Sequence, residues 1–396
     1  MSESVQALFD NTVKKFSKRP AIQYFCKRNQ KWIIKNWLEL AANVAKIANG
    51  VLGLRVNADD RIAILSMTRP EWVMSDIAIM KASCIVVPIY HSSLTDQIAY
   101  ILSDSDAQII FLEDEAQLKK IREAENNGIR LKRIIIFDRV SVSLKENECY
   151  LEDFIAGRPE QFNSNWQKSD SIASLVYTSG TTGEPKGAMI SHDNLLYEAH
   201  VIDKLGILTS DDVQLIFLPL AHIFARVLEL AWLRTGHLLA FAQSIEKVVD
   251  DMAVVKPTLM AGVPRIFEKV RTKTMEAALS SRGIKKYLSR FAFKEADRLL
   301  SNHHSVGLGL MLAKKLVFKK IGRKLNEKFG NRLRFLVSGG AQLAPEVFVF
   351  FQLCGITLCE GYGLTETTAA TCLNLPWAMR RGSVGRPLPG MELRLS

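Results

Sequence analysis

The stretch from Leu175 to Gly187 combines the residue types that bind phosphate. Its sequence, Leu-Val-Tyr-Thr-Ser-Gly-Thr-Thr-Gly-Glu-Pro-Lys-Gly, overlaps a short apolar run, Ile172 to Tyr177, that predicts a buried strand. Glycines permit backbone angles that turn successive N–H groups inward around an anion, and hydroxyls and a lysine add donors and positive charge. We therefore predict a polyphosphate-binding loop with the candidate residues Thr178, Ser179, Gly180, Thr181, Thr182, Gly183 and Lys186.

This loop is not a Walker loop, which requires the pattern Gly-x-x-x-x-Gly-Lys-Ser/Thr. Here Pro185 precedes Lys186 and Gly187 follows it. The alternative interpretation is a flexible surface loop rich in glycine, serine and threonine. The whole run favours the phosphate loop over that alternative.

A second segment, Glu360 to Thr367, has the sequence Glu-Gly-Tyr-Gly-Leu-Thr-Glu-Thr. Tyr362 offers a flat face for a purine, Thr365 a hydroxyl for a phosphate and Glu366 a hard oxygen ligand for Mg²⁺. Taken alone, the segment also fits a turn with a surface charge. Together with the first loop, it favours an ATP site.

Two more segments follow predicted strand ends. His222 lies within Leu-Pro-Leu-Ala-His-Ile-Phe-Ala-Arg, residues 218–226. A lone histidine in apolar company is more often a core residue, but its position after a strand and a proline favours a site. The segment Ser338-Gly339-Gly340-Ala341 either lets a flat ring approach the backbone or forms a tight turn before Pro345.

These segments together resemble the adenylate-forming superfamily, which includes acyl-CoA synthetases, peptide-synthetase adenylation domains and luciferases. The likeness runs from about Ala21 to Leu395 and includes Gly262-Val263-Pro264-Arg265 and Gly382 to Pro387. It implies that the first loop holds the ATP β- and γ-phosphates and that the Gly339 segment borders the adenine and the acyl tunnel. The implied catalytic residues are Lys186, His222, Thr365 and Glu366, and the implied Mg²⁺ ligands are Thr181 and Glu366. The implied nucleotide site comprises Thr178, Ser179, Gly180, Thr181, Thr182, Gly183, Lys186, Gly339, Gly340, Ala341, Glu360, Gly361, Tyr362, Gly363 and Thr365.

Within the superfamily, the chain is most similar to long-chain fatty acid–CoA ligases. The segment from Pro219 to Phe224 resembles their Pro-Leu-x-His-x-Phe pattern, whose histidine lies beside the acyl carboxylate. Some long-chain members place a gating tryptophan four residues after this histidine, whereas this chain has Arg226 there and departs from that form of gate. The resemblance implies ATP-dependent activation of a fatty acid through an acyl-adenylate, then thioester formation with coenzyme A.

Two other functions remain as alternatives. One is a ligase that keeps the fatty acyl-adenylate or loads it onto an acyl carrier protein. The other is a non-catalytic nucleotide- or acyl-binding relative, which is expected to lack charged site residues. Lys186, His222 and Glu366 are all present, and this favours an enzyme.

Length and pattern predict an α/β protein. A chain of 396 residues with 48% hydrophobic residues can form two or three lobes. Strands and helices alternate at short spacing, which predicts doubly wound, mostly parallel sheets with helices on both faces. We expect a first lobe over residues 1–170, a second over 171–396 that carries the ATP and acyl sites, and a small β-rich part near the C-terminal end. The clearest predicted elements are helices at 37–53 and 70–81 and strands at 61–66, 84–89, 107–112, 132–137, 213–217, 238–241, 258–261, 333–337 and 356–359.

The net charge of +11 is concentrated in one region. Residues 264–334 contain nineteen Lys/Arg and five Asp/Glu, and we expect a basic helical insertion at about 277–328. Within it, one apolar face at helical spacing alternates with lysines and arginines. This pattern fits a core-packed helix with a solvated charged face, or a peripheral contact with an anionic membrane. Nucleic acid is the less favoured partner, because aromatic interleaving and a known module are missing. The apolar face consists of Leu310, Ala313, Val317, Ile321 and Leu325.

Six cysteines without a C-x-x-C pair predict reduced thiols, not disulfides or a zinc site. The first ten residues show no secretory signal, and no apolar run approaches the roughly 20 residues of a spanning helix. These features predict a cytoplasmic protein, with a peripheral position on the cytoplasmic membrane face as the finer alternative.

The resemblance also implies residues beyond Ser396. In the superfamily, the point reached by Pro389 to Leu393 precedes an aspartate that binds the ribose and a small C-terminal domain with a catalytic lysine. We therefore expect this chain to be the large N-terminal part of a longer ligase, with the small domain absent. On that expectation, it makes little acyl-CoA alone.

Overall fold

The computed structural model describes residues 4–163, 167–178, 183–301 and 307–394. Its strands, numbered in chain order, are β1 Pro20–Cys26, β2 Lys31–Asn36, β3 Arg61–Leu65, β4 Ile85–Ile89, β5 Ile109–Leu112, β6 Arg133–Ile136, β7 Glu148–Tyr150, β8 Ile172–Thr178, β9 Lys186–Ser191, β10 Val213–Ile216, β11 Leu238–Phe241, β12 Leu259–Gly262, β13 Phe335–Ser338, β14 Leu358–Tyr362, β15 Cys372–Leu373 and β16 Arg386–Pro387.

The helices alternate with these strands. A π-helical turn, Lys314–Phe318, joins two of them, and a 3₁₀ turn covers Thr365–Thr367. The α-helices are α1 Val5–Phe16, α2 Trp37–Gly53, α3 Pro70–Lys81, α4 Thr95–Ser105, α5 Glu115–Asn126, α6 Leu151–Ile155, α7 His192–Leu205, α8 Ile223–Thr235, α9 Val248–Val255, α10 Pro264–Leu279, α11 Ile284–Ser301, α12 Leu308–Ala313, α13 Lys319–Lys328 and α14 Pro345–Cys354.

The predicted α/β fold class is confirmed. The chain divides into two compact units, which we call the first unit (Met1–Asp211 and Leu218–Phe241) and the second unit (Asp212–Phe217 and Ala242–Ser396). Mostly parallel sheets with covering helices occur in both. The lobe boundary at residue 170 stays a prediction.

A seven-stranded sheet forms the centre of the first unit. Its strand order is β7-β6-β5-β3-β4-β8-β9, and every neighbouring pair is parallel except β8 and β9. Strands buried on both faces are near-continuous apolar runs, as in β3, where Ile62 pairs with Val86 and Ile109. The fully buried side chains of Ala63 and Val87 belong to the core that the helices cover.

A group of three strands in the first unit pairs β11 with β1 in parallel and β1 with β2 in antiparallel fashion. Helix α2 begins next to it with a reciprocal cap, in which the Asn36 side chain accepts from the Glu39 N–H and Glu39 accepts from the Asn36 N–H. Its first residue, Trp37, stacks on Trp232 of α8 at a centroid distance of 4.6 Å. The predicted helices at 37–53 and 70–81 are confirmed.

The second unit contains the strand order β16-β15-β14-β13-β12-β10. Strands β10, β12, β13 and β14 run parallel, whereas β14, β15 and β16 pair in antiparallel fashion. The latter group is the small β-rich part expected near the C-terminal end.

The described residues of the basic region in the second unit are mostly helical, while the bounds of the insertion stay a prediction. Its final helix packs closely on α14, because a Cβ atom on Gly322 would lie 1.8 Å from the carbonyl oxygen of Cys354. Only glycine allows the two backbones to approach so closely. Leu310, Ala313 and Val317 are buried, while the lysines between them are exposed.

All six cysteines are free thiols. In the part of the chain that the structure describes, no helix combines the length and the apolar character needed to cross a membrane.

Candidate active site

The candidate phosphate loop connects the antiparallel strands β8 and β9. Thr178 and Lys186 pair in register at the base of this hairpin, so both flank the loop. Lys186 and Gly183 are exposed, and the position of a Cβ atom on Gly183 has no other atom within 4 Å. Four predicted residues, Ser179, Gly180, Thr181 and Thr182, lie outside the described residues.

Tyr177 anchors the base of this hairpin. Its hydroxyl donates to Asp104 Oδ2 of α4 at 2.6 Å, and its ring lies against Gly187. Burial, together with the neighbouring Asp104 carboxylate, raises the pKa of Tyr177. The phenol therefore stays protonated as the donor that ties β8 to α4.

His222 caps the N-terminus of α8. Its Nδ1 accepts the N–H of Phe224 at 3.1 Å, so in the neutral ring the proton is on Nε2. The ring reaches solvent, and the protein atoms around it lower its pKa by desolvation. His222 is accordingly a neutral side chain near pH 7 that can donate a hydrogen bond from Nε2 to a carboxylate.

Two residues that the sequence analysis missed hold His222 in place. The Thr68 hydroxyl donates to the carbonyl of Leu218 at 2.6 Å and accepts the N–H of Leu220 at 3.2 Å. The Tyr90 ring meets the His222 ring edge-on at 6.5 Å between centroids, and burial raises the pKa of Tyr90 to about 12. Thr68 and Tyr90 follow β3 and β4, and their positions after strand ends were the available signal.

The same edge of the sheet carries the phosphate loop. Val86 of β4 pairs in parallel with Ser174 of β8, so Tyr90 and Thr178, each four residues further on, lie at one carboxyl edge. Ligands of α/β sheets bind at such edges. Within the first unit, the fold therefore brings Thr178, Lys186 and His222 to a common edge.

Arg226, at the position of the gating tryptophan in some long-chain ligases, is a core residue here. Its guanidinium forms an ion pair with Asp76 of α3, and its Cζ lies 5.4 Å from the centroid of the Trp72 ring. All three side chains are buried. Arg226 therefore attaches α8 to α3.

In the second unit, three candidate segments follow neighbouring parallel strands. Gly262 pairs with Ser338, and Ser338 pairs with Glu360, so β12, β13 and β14 present their carboxyl ends together. Gly340 has a φ of +81° and is exposed, as is Ala341, while Gly339 is buried and donates to the carbonyl of Gly262 at 3.1 Å. An exposed backbone at Gly340 suits the close approach of a ring.

Glu360 connects two of these segments. Its Oε1 accepts the N–H of Leu343 at 3.0 Å, and burial raises its pKa. The carboxyl group thus fixes the loop after β13 against β14. This contact gives Glu360 a positioning role beside the nucleotide-binding role implied by the resemblance.

The turn after β14 exposes the predicted ligand groups. A Cβ atom on Gly363 would lie 1.0 Å from the carbonyl oxygen of Ala369, so the turn requires glycine there. Thr367 Oγ1 accepts the N–H of Leu364 at 3.1 Å and closes the 3₁₀ turn. Tyr362 and Glu366 are exposed and Thr365 is partly exposed, so all three are accessible to a ligand. Gly361 lies within β14.

The residues that the structure describes contain no group of three or more His, Cys, Asp or Glu arranged to hold a metal ion. Glu366 is exposed and has no ion pair with any other described residue. Mg²⁺ typically takes one or two protein carboxylates and completes its shell with water and substrate phosphates. A single accessible Glu366 therefore fits such a site, and the other predicted ligand, Thr181, lies outside the described residues.

The fold and these segments define a class of α/β proteins with candidate ligand loops at the carboxyl ends of parallel strands. A family model described as AMP-binding enzyme matches residues 9–396. The chain therefore belongs to the AMP-binding enzyme family, and the resemblance inferred from the motifs is confirmed.

Curated relatives carry the names of long-chain ligases. Long-chain-fatty-acid–CoA ligase FadD15 of Mycobacterium tuberculosis is 32% identical over 372 residues, which are 92% of this chain and 61% of that protein. Long-chain-fatty-acid–CoA ligase 1 of Homo sapiens is 30% identical over 361 residues, which are 87% of this chain and 50% of that protein. The chain thus spans 50–61% of the length of these two relatives.

Solved structures confirm the fold. The anthranilate CoA ligase AuaEII in complex with anthranoyl-AMP matches 98% of this chain and 65% of its own, with a TM-score of 0.75 at 19% identity. The N-terminal domain of FACL13 from Mycobacterium tuberculosis matches 98% of this chain and 83% of its own, with a TM-score of 0.74 at 17% identity.

Proposed function

We propose that this chain provides the acid-activating part of a long-chain fatty acid–CoA ligase. The observation that carries the proposal is the placement of His222, Lys186 and Thr178 at one carboxyl edge of the first unit, in a chain whose relatives are named long-chain ligases. The substrates are a fatty acid, ATP and coenzyme A. Mg²⁺, a cytoplasmic location and a peripheral contact with anionic membrane are parts of the same proposal.

Adenylation requires an anionic carboxylate to attack an anionic phosphate. A carboxylate oxygen forms a bond to the α-phosphorus, the bond to the β-phosphate oxygen breaks, and pyrophosphate leaves. We assign Lys186 to neutralising the phosphates and Nε2–H of His222 to holding the carboxylate. Glu366 would hold Mg²⁺, which supplies further charge neutralisation when it is bound. Tyr362, Gly340 and Ala341 are assigned to the adenine and Thr365 to a phosphate.

In the second half-reaction, the coenzyme A thiol attacks the acyl carbon and AMP leaves. The names of the relatives favour coenzyme A over a carrier protein as the acceptor. Accessible Lys186, His222 and Glu366 support an enzyme over a non-catalytic relative.

Binding of non-hydrolysable acyl-sulfamoyl adenosines tests the proposal without requiring turnover. Calorimetric titration with analogues from acetyl to stearoyl should show the tightest binding for the long chains. ATP–pyrophosphate exchange over the same acids, measured with a chain that spans the full length of the relatives, provides the catalytic readout. A preference for short acids would refute the long-chain assignment, and no binding of any analogue would refute adenylate formation.

The Glu366→Gln variant tests the assigned metal ligand. In a chain that spans the full length of the relatives, we expect Mg²⁺-dependent exchange to be lost with an unchanged circular dichroism spectrum. Glu327→Gln, an exposed glutamate of α13, should behave as the wild type. Unchanged exchange in Glu366→Gln would remove this residue from the mechanism.

A further inference from the structure

The helical segment over residues 308–328 of the second unit has apolar side chains on two faces. Its inner face is buried and includes Leu310, Ala313 and Val317. A second set recurs at a spacing of three, four and eight residues and therefore shares one helix face. We call this set the outer stripe; it consists of Leu308, Met311, Leu312 and Leu316, which are 80%, 58%, 52% and 40% exposed.

A surface helix needs only one apolar face to pack on its core. Packing among the described residues of the second unit therefore does not explain the outer stripe. Contiguous exposed apolar side chains with a polar border are typical of surfaces that bind a partner or a membrane.

Basic residues border the outer stripe. Six of them are exposed, and none forms an ion pair with an acidic residue in the described part of the chain. Their charge is thus available to an anionic partner. They are Lys314, Lys315, Lys319, Lys320, Arg323 and Lys324.

Helix α11 also exposes apolar and basic side chains. It packs on the π-helical turn, where the rings of Phe293 and Phe318 lie 5.6 Å apart. Its first turn exposes Ile284 (78%) and Tyr287 (73%), and Lys285 and Lys286 between them are exposed as well. Apolar and basic side chains therefore alternate at the start of α11 as well as in the segment over residues 308–328.

We propose that the outer stripe and its bordering lysines form a docking surface for an anionic lipid bilayer. An apolar helix face flanked by lysines is the pattern of helices that lie in the membrane interface, with apolar side chains below the headgroups and basic groups at the anionic headgroups. Long lysine side chains keep their charge at that level while their methylenes cover apolar surface. The inference deepens the membrane contact of the proposed function by naming the surface that makes it.

Vesicle flotation tests the docking surface without ATP, acid or turnover, so its outcome is independent of the ligase proposal. The full chain is mixed with phosphatidylcholine vesicles, or with vesicles that also contain phosphatidylglycerol, at low and high NaCl. We expect binding to the anionic vesicles only, and weaker binding at high salt because exposed charges are then screened. Absence of binding to anionic vesicles at low salt would overturn the proposal.

Two variants separate the apolar and the charged contributions. Replacing Met311, Leu312 and Leu316 by serine should weaken binding by about tenfold or more at both salt concentrations, because insertion of apolar side chains is lost. Replacing Lys314, Lys315, Lys319 and Lys320 by glutamine should remove the salt-dependent part of the binding to anionic vesicles. A control with the same loss of charge replaces the exposed Lys14, Lys18, Lys27 and Lys31 of the first unit by glutamine and should bind as the wild type.

Circular dichroism shows whether each variant is folded. The residues replaced by serine are exposed, so the replacement should leave the packing of the inner face unchanged. Sedimentation velocity without lipid identifies the competing occupant, a second copy of this chain. A wild-type dimer that the serine variant dissociates, or a serine variant that floats as the wild type does, would overturn the assignment to lipid.

Discussion

Arg226, Asp76 and Glu229 form a buried charged cluster between α8 and α3. Arg226 is ion-paired with Asp76, while burial and the nearby Asp76 raise the pKa of Glu229 well above its ordinary value. A positive charge, one carboxylate and one protonated acid give a cluster that is close to neutral. This arrangement lets three ionisable side chains lie in the core.

Asp76→Asn should destabilise the protein by about 3–5 kcal/mol, because it leaves the Arg226 charge buried and unpaired. Glu229→Gln replaces a protonated acid by a neutral group of the same shape and should cost less than about 1 kcal/mol at pH 7. Urea unfolding of both variants against the wild type measures the difference. Equal losses of stability would contradict the assigned proton.

His192 provides a pH-dependent contribution to stability. It is fully buried, its Nε2 lies 3.0 Å from Gln167 Oε1, and burial lowers its pKa to about 4. The unfolded chain binds a proton at this residue below about pH 6.5, and the folded chain does so only near pH 4. Its contribution is therefore complete above pH 6.5 and is lost as the pH falls from 6.5 towards 4.

We expect the free energy of unfolding of the wild type, relative to His192→Gln, to fall by up to about 1.4 kcal/mol per pH unit below pH 6.5. Glu229 is present in both proteins, so its contribution to the free energy of unfolding cancels in the difference. Alone, its raised pKa would make the free energy of unfolding fall as the pH rises. Urea titrations between pH 5 and 7.5 provide the measurement. A difference that does not vary with pH would show that the folded and unfolded chains bind the His192 proton equally, and would contradict the lowered pKa.

The Thr68 hydroxyl holds the loop that precedes α8. Thr68 bonds both Leu218 and Leu220, and His222 begins the helix two residues later. Thr68→Val keeps the shape and removes both bonds, which should weaken binding of a palmitoyl-sulfamoyl adenosine by about tenfold, the equivalent of one hydrogen bond. Thr68→Ser retains the hydroxyl and should bind nearly as the wild type. Equal affinity of the valine variant would show that the loop holds His222 without Thr68.

The elements that were predicted correctly have local signals. Asn36 and Glu39 form the cap of α2, Pro70 starts α3, and continuous apolar runs gave the strands around β3. Helix α1 and the β1–β2 hairpin were not predicted. In β1 and β2 burial does not alternate cleanly, because most residues are half-buried, so period-two patterning is weak there.

The sequence predicts which segments form the candidate site, but it does not predict the contacts between them. Glycine-rich and hydroxyl-rich runs after apolar strands mark Thr178, Ser338 and Glu360 as strand ends. The contact of Thr68 with a backbone 150 residues away leaves no pattern in one sequence. The outer stripe was not predicted, because the sequence alone does not distinguish an exposed leucine from a buried one. Only the packing of the helix shows which of its faces is covered.

Both units of the molecule bury cysteine thiols. Burial raises the pKa of Cys84 in the first unit and of Cys354 and Cys359 in the second to about 12, against an ordinary value of 9.0. A thiolate is the reactive form, so at pH 8 this shift alone reduces the reactive fraction on the order of a thousandfold. Thiol labelling of the folded chain therefore reports opening of each unit.

Labelling with iodoacetamide at pH 8, read by peptide mass spectrometry, should leave these three thiols unmodified for far longer than a model thiol. In denaturing urea, all six cysteines should react at similar rates. Because Cys84 reports on one unit and Cys354 and Cys359 on the other, labelling through the urea transition shows whether the units open at the same denaturant concentration. Fast native-state labelling of Cys84, Cys354 and Cys359 would contradict the buried cores of both units.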